Sequence, residues 1–340
     1  MLQPVHARTR RSWVLGSLGV STERPNIIYL HTHDTGRYLS LYGYAVPTPQ
    51  LERFAATGVL FTRAFAAAPT CSPSRAALLT GESPHSSSMM GLAHRGWRLY
   101  EPRRHLAHTL ADAGYHTVLA GIQHLAPSPA ALGYLEHLER KSDHAPDVAA
   151  ATERFLRGAP RQPFFLDIGF IETHLLPHGA SPFGHLPGDA RYVRAFPPLP
   201  DTPDTRRDVA ALGVAVGVVD EAVGRILAAL ERENLTQTTL VIVTTDHGPP
   251  LPGMKGTLSD YGLGVSLIMR GPGFRGGRVL IPLVSHLDLF PTLCELLALP
   301  PPDWLQGRSL MPLLGGKTGL HDAVFTETTH HVAYEPQRSV

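Results

Sequence analysis

Short runs of apolar and β-branched residues recur along the chain, and turn-forming residues bound each run. Runs of this kind are typical of strands that are buried on both faces of a parallel sheet. They predict strands at residues 26–30, 117–120, 164–170, 240–245 and 267–269.

Segments with apolar residues at helical spacing separate these strands. The spacing predicts helices at residues 48–57, 74–79, 106–113, 146–156, 208–233 and 289–297. Because strands alternate with helices, the sequence predicts an α/β domain with a mostly parallel sheet. We expect this domain to cover residues 25–340, after an N-terminal arm at residues 1–24.

Polar clusters follow four of the predicted strands. Ligand sites in parallel sheets lie beyond the carboxyl ends of the strands, so groups from distant parts of the sequence meet there. The four clusters are His31 to Asp34, His124, Glu172 to His174, and Asp246-His247. We therefore expect these residues to converge at one edge of the sheet.

Composition narrows the classes of partner. The chain has 340 residues, of which 43% are hydrophobic and 17% charged, and its net charge is +1. This charge indicates neither nucleic acid nor an anionic membrane surface as a partner. No apolar run reaches the roughly 20 residues that a membrane-spanning helix needs. Of the two cysteines, Cys294 lies in an apolar helical run and is expected in the core.

The N-terminal segment leaves two locations open. Residues 9–15, with Arg10-Arg11, resemble a twin-arginine export signal. The apolar stretch that ends at Val20 is short, however, and no clear small-residue cleavage site follows it. The segment favours a cytoplasmic protein with a disordered arm, and periplasmic export is the alternative.

Several residue types in these clusters could carry chemistry. Asp34 and Asp246 follow two strands, and carboxylates so placed can hold a divalent metal ion, although an Asp after a strand often only caps a helix. Arg75 and Lys255 could hold an anion, or be ordinary surface cations. Histidines such as those at positions 124 and 174 can transfer protons near neutral pH, or simply be solvated. The candidates are Asp34, Asp246, Arg75, Lys255, His124 and His174.

The motif Cys71-x-Pro73-x-Arg75, followed by a small-residue helix start and Thr80-Gly81, connects these candidates. A cysteine before a proline is by itself commonly a small buried residue. With the other clusters in order, the chain resembles the type I, formylglycine-dependent sulfatases of the alkaline-phosphatase superfamily. Residues 89–92 and 330–331 are most similar to the sulfamidase branch (heparan N-sulfatase, or N-sulfoglucosamine sulfohydrolase) and its bacterial relatives.

The resemblance implies a large, mostly parallel or mixed sheet with helices on both faces, and a hydrolase for a sulfamate or sulfate ester of a sugar, as in glycosaminoglycan degradation. It implies one divalent cation, Ca²⁺ first and Mg²⁺ or Mn²⁺ as alternatives. Partners would be a sulfated small molecule or saccharide and a formylglycine-generating enzyme, and a homodimer is left open.

The resemblance also implies roles for individual residues. Cys71 would become formylglycine, whose hydrate supplies the nucleophilic oxygen. The implied metal ligands are Asp34, Asp246, His247 and His33. The implied catalytic residues besides Cys71 are Arg75, His124, His174 and Lys255. The implied substrate-binding residues are Gln123, His94, His330 and His331.

The chain departs from the family pattern in four respects. His33 replaces the first Asp of an Asp-Asp pair, His247 replaces the Asn of sulfamidase, and Ile122-Gln123 stand where a lysine precedes the catalytic histidine. The small C-terminal antiparallel subdomain is expected to be largely absent, a truncation relative to the family. Two alternatives therefore stay open: a phosphate or phosphonate ester hydrolase, and a catalytically impaired binding protein.

Overall fold

A computed structural model describes residues 24–176 and 183–340. The N-terminal arm predicted at residues 1–24, with the alternative of an export signal, lies outside the described residues except for Arg24. Within the described ranges, no helix is long and apolar enough to cross a membrane.

The described residues form two sheets. A large sheet contains nine strands, and a separate antiparallel hairpin contains two. The strands are β1 (Asn26–Thr32), β2 (Val59–Phe65), β3 (His116–Gly121), β4 (Glu136–His137), β5 (Phe164–Gly169), β6 (Thr239–Thr245), β7 (Gly264–Arg270), β8 (Arg278–Leu280), β9 (Val284–Ser285), β10 (Thr326–His330) and β11 (Tyr334–Ser339).

The large sheet is mixed but mostly parallel, as the sequence predicts. Its strand order is β4-β3-β5-β1-β6-β7-β2-β8, and β9 pairs with β2. Strand β1 lies between β5 and β6 and is parallel to both. Strand β7 alone runs against its neighbours β6 and β2. The carboxyl ends of β3, β5, β1 and β6 therefore lie at the same edge of the sheet.

Helices connect the strands and cover both faces of the sheet. Six short 3₁₀ turns also occur in the described ranges. The α-helices are α1 (Pro49–Ala55), α2 (Cys71–Thr80), α3 (Pro84–Ser87), α4 (Leu106–Asp112), α5 (Ala145–Arg157), α6 (Pro203–Arg232), α7 (Asp260–Leu263), α8 (Leu289–Leu296) and α9 (Met311–Leu314).

Two apolar cores lie on opposite faces of the sheet. Alternate residues of each strand face opposite sides, so Ile28 and Leu30 join one core while Ile27 and Tyr29 join the other. The first core is completed by α1, α5 and α6, and the second by α2, α4, α8 and α9. This layering holds the central strands between helices and fixes where their polar ends emerge.

Helix α6 begins five residues before the predicted start at residue 208. Thr202 caps it by accepting a hydrogen bond from the backbone N–H of Thr205, and Pro203 occupies the first helical position. The first turn is polar, so apolar periodicity could not reveal it.

The sequence patterns missed strands β2 and β4 and strands β8 to β11. Thr62 and Arg63 interrupt the apolar run of β2, while β8 and β9 span only three and two residues. The hairpin of β10 and β11 is mostly polar. This hairpin is the second, antiparallel sheet of the described residues.

Candidate active site

Cys71 is the first residue of α2, which begins three residues before its predicted start. Thr70 is extended and precedes the helix, and Pro73 needs no N–H donor in the first turn. All ten residues of α2 are buried, and Gly81 ends it with a φ of 71°. The motif therefore holds the Cys71 side chain at a buried helix N-terminus.

The Cys71 thiol faces polar groups from two strand ends. Its Sγ lies 3.4 Å from Nε2 of His247 and 3.9 Å from Oδ1 of Asp34. Burial, reinforced by the carboxylate of Asp34, raises the pKa of the Cys71 thiol far above its usual range. The thiol therefore stays protonated and is a poor nucleophile as it stands.

Asp34 and Asp246 form the acidic centre of the site. The backbone N–H of Asp34 donates to Oδ1 of Asp246 over 2.8 Å, and Nζ of Lys255 donates to Oδ2 of Asp34 over 2.6 Å. Burial by itself raises the pKa of Asp34, but His33 and Lys255 outweigh it and hold that pKa well below the usual range. Burial likewise raises the pKa of Asp246, but His247 and Arg75 outweigh it and hold that pKa well below the usual range. Both carboxylates are therefore ionised and available to a cation.

The donor set fits a metal ion. His33, Asp34, Cys71 and Asp246 each offer one ligand atom, and these atoms lie within 4.8 Å of one another. Nδ1 of His247 donates to the carbonyl of Gly248 over 2.9 Å, which leaves Nε2 as an acceptor.

That acceptor, Nε2 of His247, lies 3.1 Å from Oδ1 of Asp34, which is also an acceptor. Two acceptors so close need a proton or a cation near both. The residues thus suit a single divalent ion held by oxygen and nitrogen atoms.

Arg75 is directed at Asp246. Its Nε and Nη2 atoms donate to Oδ2 of Asp246 over 3.1 and 2.9 Å, and Nη2 also contacts the carbonyl of Thr32. Its Nη1 atom donates to Nδ1 of His31. Arg75 is 2% exposed, and its hydrogen bonds hold the carboxylate of Asp246 in position.

A buried relay supports Arg75. Because a guanidinium only donates hydrogen bonds, His31 accepts at Nδ1 and donates from Nε2 to Oδ1 of Asp167 over 2.9 Å. The hydroxyl of Tyr134 donates to the other oxygen of Asp167. Sequence reasoning missed these three roles, although Asp167 gave a signal as the one carboxylate inside the apolar run at residues 164–170.

Asp167→Ala is expected to lower the free energy of unfolding by about 2–4 kcal/mol, because it leaves the donors of His31 and Tyr134 buried without an acceptor. Asp167→Asn keeps an acceptor and should lose less. Urea unfolding monitored by circular dichroism measures both. Equal losses in the two variants would contradict the relay.

Two further histidines flank His33. Nδ1 of His124 lies 3.1 Å from Nε2 of His33, and the ring centroid of His174 lies 4.5 Å from that of His33. Burial, followed by the neighbouring His33 and Arg75, lowers the pKa of His124 to about 2. Nδ1 of His174 donates to the carbonyl of Leu175 over 2.6 Å, and its Nε2 forms no hydrogen bond with any residue in the ranges 24–176 and 183–340.

His331 and His330 occupy different surroundings. Burial, followed by the nearby positive charge of Lys255, lowers the pKa of His331 to about 4, so His331 adjoins the site. The His330 ring lies 6.0 Å from that of Trp97, and its backbone N–H donates to the carbonyl of Met90.

Gln123 and His94 lie in loops beside the site. The side-chain oxygen of Gln123 accepts from the backbone N–H groups of Leu125 and Ala126, so this amide shapes the loop after β3. His94 is exposed in a turn that a hydrogen bond between Ala93 and Ser72 attaches to α2. The roles in substrate binding inferred for both residues stay predictions.

The structure thus brings together the predicted group around Cys71. That group consists of His33, Asp34, Arg75, His124, His174, Asp246, His247 and Lys255. Sequence reasoning gave no role to Thr173, whose Oγ1 lies 3.0 Å from the carbonyl oxygen of Asp34. It also missed His286, a buried residue whose Nε2 lies 3.1 Å from Oγ1 of Thr244.

The fold and the sequence together define the class. Residues 25–299 match the sulfatase family model, and the chain belongs to the sulfatase family. The fold is that of a solved 2-O GAG sulfatase, with a TM-score of 0.74, 23% identity, and coverage of 93% of this chain and 80% of that one. A phosphonate monoester hydrolase from Silicibacter pomeroyi also shares it, with a TM-score of 0.71, 23% identity, and coverage of 90% and 80%.

Among individual relatives, human N-sulphoglucosamine sulphohydrolase is 31% identical over 95% of this chain and 73% of its own length. N-acetylgalactosamine-6-sulfatase from Canis lupus familiaris is 28% identical over 93% of this chain and 72% of its own. These findings confirm the family, the fold class and the prediction of a hydrolase of the sulfatase class.

Proposed function

We propose that this chain hydrolyses the sulfamate or sulfate ester of a sugar, with an N-sulfoglucosamine unit as the first candidate. The observation that carries the proposal is the burial of Cys71, at the start of its C-x-P-x-R helix, against Asp34 and His247, with Lys255 bonded to Asp34. The similarity to human N-sulphoglucosamine sulphohydrolase supports the choice of substrate.

The nucleophile in this proposal is a hydrated formylglycine made from Cys71 by a maturation enzyme. The protonated thiol of Cys71 suits this better than direct attack by sulfur. One hydroxyl of the hydrate loses its proton and forms a bond to sulfur, while the bond from sulfur to the sugar nitrogen or oxygen breaks. The departing amine or alcohol takes up a proton.

The second hydroxyl then releases the sulfate. It loses its proton, the aldehyde carbonyl forms, and the bond between carbon and the sulfate oxygen breaks. Water adds to the aldehyde and restores the hydrate. A serine at position 71 has no second hydroxyl and would remain sulfated.

His174 and His124 divide the proton transfers between them. His174 offers a ring nitrogen within 4.8 Å of Cys71 Sγ, and its Nε2 carries no hydrogen bond to a described residue. His124 is held through His33. Lys255 adds a positive charge that can hold the sulfate oxygens, and Arg75 keeps Asp246 in place.

One divalent cation belongs to this proposal, held by His33, Asp34, Asp246 and His247. When bound, it would supply positive charge to neutralise charge on the sulfate oxygens. Ca²⁺ is the family expectation, and Mg²⁺ or Mn²⁺ are alternatives. The imidazole of His33 in place of a carboxylate favours a softer ion such as Mn²⁺ over Ca²⁺.

His33→Asp is expected to shift metal preference toward Ca²⁺ by about tenfold relative to Mn²⁺, because it replaces a nitrogen ligand by a hard oxygen. Isothermal titration of metal-depleted protein with each ion gives the ratio of dissociation constants directly. An unchanged ratio would show that His33 is not a ligand.

A substrate panel tests the proposed function. Protein co-expressed with a formylglycine-generating enzyme would be assayed on N-sulfoglucosamine, an aryl sulfate and an aryl phosphate. We expect sulfate release from the sulfamate. Release only from the aryl sulfate would remove the sulfamidase assignment, and preference for the phosphate would support the phosphoester alternative. If protein with Cys71 converted to formylglycine releases nothing from any of the three substrates, the result would support the alternative of a catalytically impaired binding protein.

A further inference from the structure

A second cluster of metal-ligating side chains lies near the loop that follows β5. It consists of His144, Glu172 and His185, and we refer to it as the His-Glu-His cluster. Oε1 of Glu172 lies 2.8 Å from Nδ1 of His144 and 3.1 Å from Nε2 of His185. The two imidazoles thus approach the same carboxylate oxygen.

The carboxylate of Glu172 is deeply buried, with a side-chain exposure of 1%. Its Oε2 accepts the backbone N–H of Ala145 at the start of α5, over 2.8 Å. Among the described residues, neither a lysine nor an arginine forms an ion pair with it. A buried carboxylate is costly unless a cation compensates it, so Oε1 is where such a cation would bind.

The dimensions of the cluster suit a small divalent ion. One ligand atom from each of the three residues lies within 4.8 Å of the others. Ligands at the ~2.0–2.2 Å typical of Zn²⁺ in tetrahedral geometry lie roughly 3.3 Å apart, so small rotations of the two imidazoles would suffice. The His144 and His185 side chains are 39% and 21% exposed, which gives an ion access from solvent.

The ligand types select the ion. Two imidazoles and one carboxylate favour Zn²⁺ and related transition ions, and they leave a fourth position open. Ca²⁺ takes six to eight oxygen ligands, which this cluster does not offer. The set shares no residue with the group around Cys71.

We propose that the His-Glu-His cluster is a second metal site, which takes one Zn²⁺-like ion independently of the ion expected near Cys71. An ion bound there would hold in place the segment that carries His174. The carbonyl of Glu172 accepts the backbone N–H of His33 over 2.8 Å, and Glu172 is two residues from His174. An ion on Glu172 therefore joins α5 and the segment at His185 to the wall of the candidate active site.

Metal-depleted full-length protein would be titrated with Zn²⁺, and bound metal counted by elemental mass spectrometry after removal of free ion. We expect His185→Ala to bind one equivalent fewer than the wild type, or to bind that equivalent at least tenfold more weakly. His137→Ala is the matched control, because His137 is an exposed histidine of strand β4 that does not belong to the cluster, and this variant should bind the full number of ions.

His144→Ala serves as a second variant, and circular dichroism establishes that each variant is folded. Co²⁺ substitution gives a further readout, since loss of a nitrogen ligand changes its visible absorption. Equal stoichiometry and affinity in the wild type, His185→Ala and His144→Ala would overturn the proposal and leave a hydrogen-bonded His-Glu pair. So would an equal loss of zinc in His137→Ala.

Discussion

Cys71→Ala is expected to lower kcat on the sulfated sugar by at least about 10³-fold, because it removes the residue that becomes the nucleophile. Circular dichroism should show a fold like that of the wild type, since alanine fits the start of α2. Initial rates of sulfate release, measured on matched amounts of folded protein, give the comparison.

Cys294→Ala is the matched control for this variant. Cys294 is also buried, at 2% exposed, but it lies in α8 within the second apolar core. Its truncation should cost about 1 kcal/mol of stability and leave kcat within about twofold. Retention of full activity in Cys71→Ala would exclude the formylglycine mechanism.

Asp246→Asn is expected to have the second largest effect, a fall in kcat of at least about 10²-fold. Oδ2 of Asp246 receives two hydrogen bonds from Arg75, and Oδ1 receives the backbone N–H groups of Asp34 and His247. The amide cannot neutralise Arg75 and is a weaker metal ligand. Leaving a buried guanidinium without its partner should also lower the free energy of unfolding by about 3–5 kcal/mol.

Asp220→Asn is the control that separates loss of catalytic activity from loss of stability. Asp220 is 3% exposed and accepts the backbone N–H groups of Gln50 and Leu51 at the start of α1, away from the Cys71 site. Its variant should lose stability without loss of kcat at a temperature where it is folded. Denaturation curves and rates on both proteins make the comparison. Activity near wild type in folded Asp246→Asn would contradict the assigned role.

The central part of the fold could be predicted from the sequence because its strands are short apolar runs between turn residues. Strands β1, β3, β5, β6 and β7 lie where the pattern places them, and so do helices α1, α4 and α5, whereas α2 and α6 begin earlier than predicted and the four-residue helices α3 and α7 were not predicted. Strand β2 could not be predicted in the same way, because Arg63 interrupts its apolar run and long-range pairing with β7 decides its conformation.

The residues grouped around Cys71 could be predicted because they follow strands or belong to a specific motif. The supporting residues could not be predicted with equal ease. Asp167 and His31 act through contacts between neighbouring strands, and only the pairing of β1 with β5 brings them together. The His-Glu-His cluster likewise joins residues 144, 172 and 185, whose proximity depends on how α5 packs.

The measurement that tests the central claim most directly relates activity to the conversion of residue 71. Preparations with different fractions of formylglycine, quantified by mass spectrometry of the peptide containing residue 71, would be assayed for sulfate release from N-sulfoglucosamine. We predict a rate proportional to the converted fraction, with none in unconverted protein. A rate independent of that fraction would contradict the proposed nucleophile and the mechanism built on it.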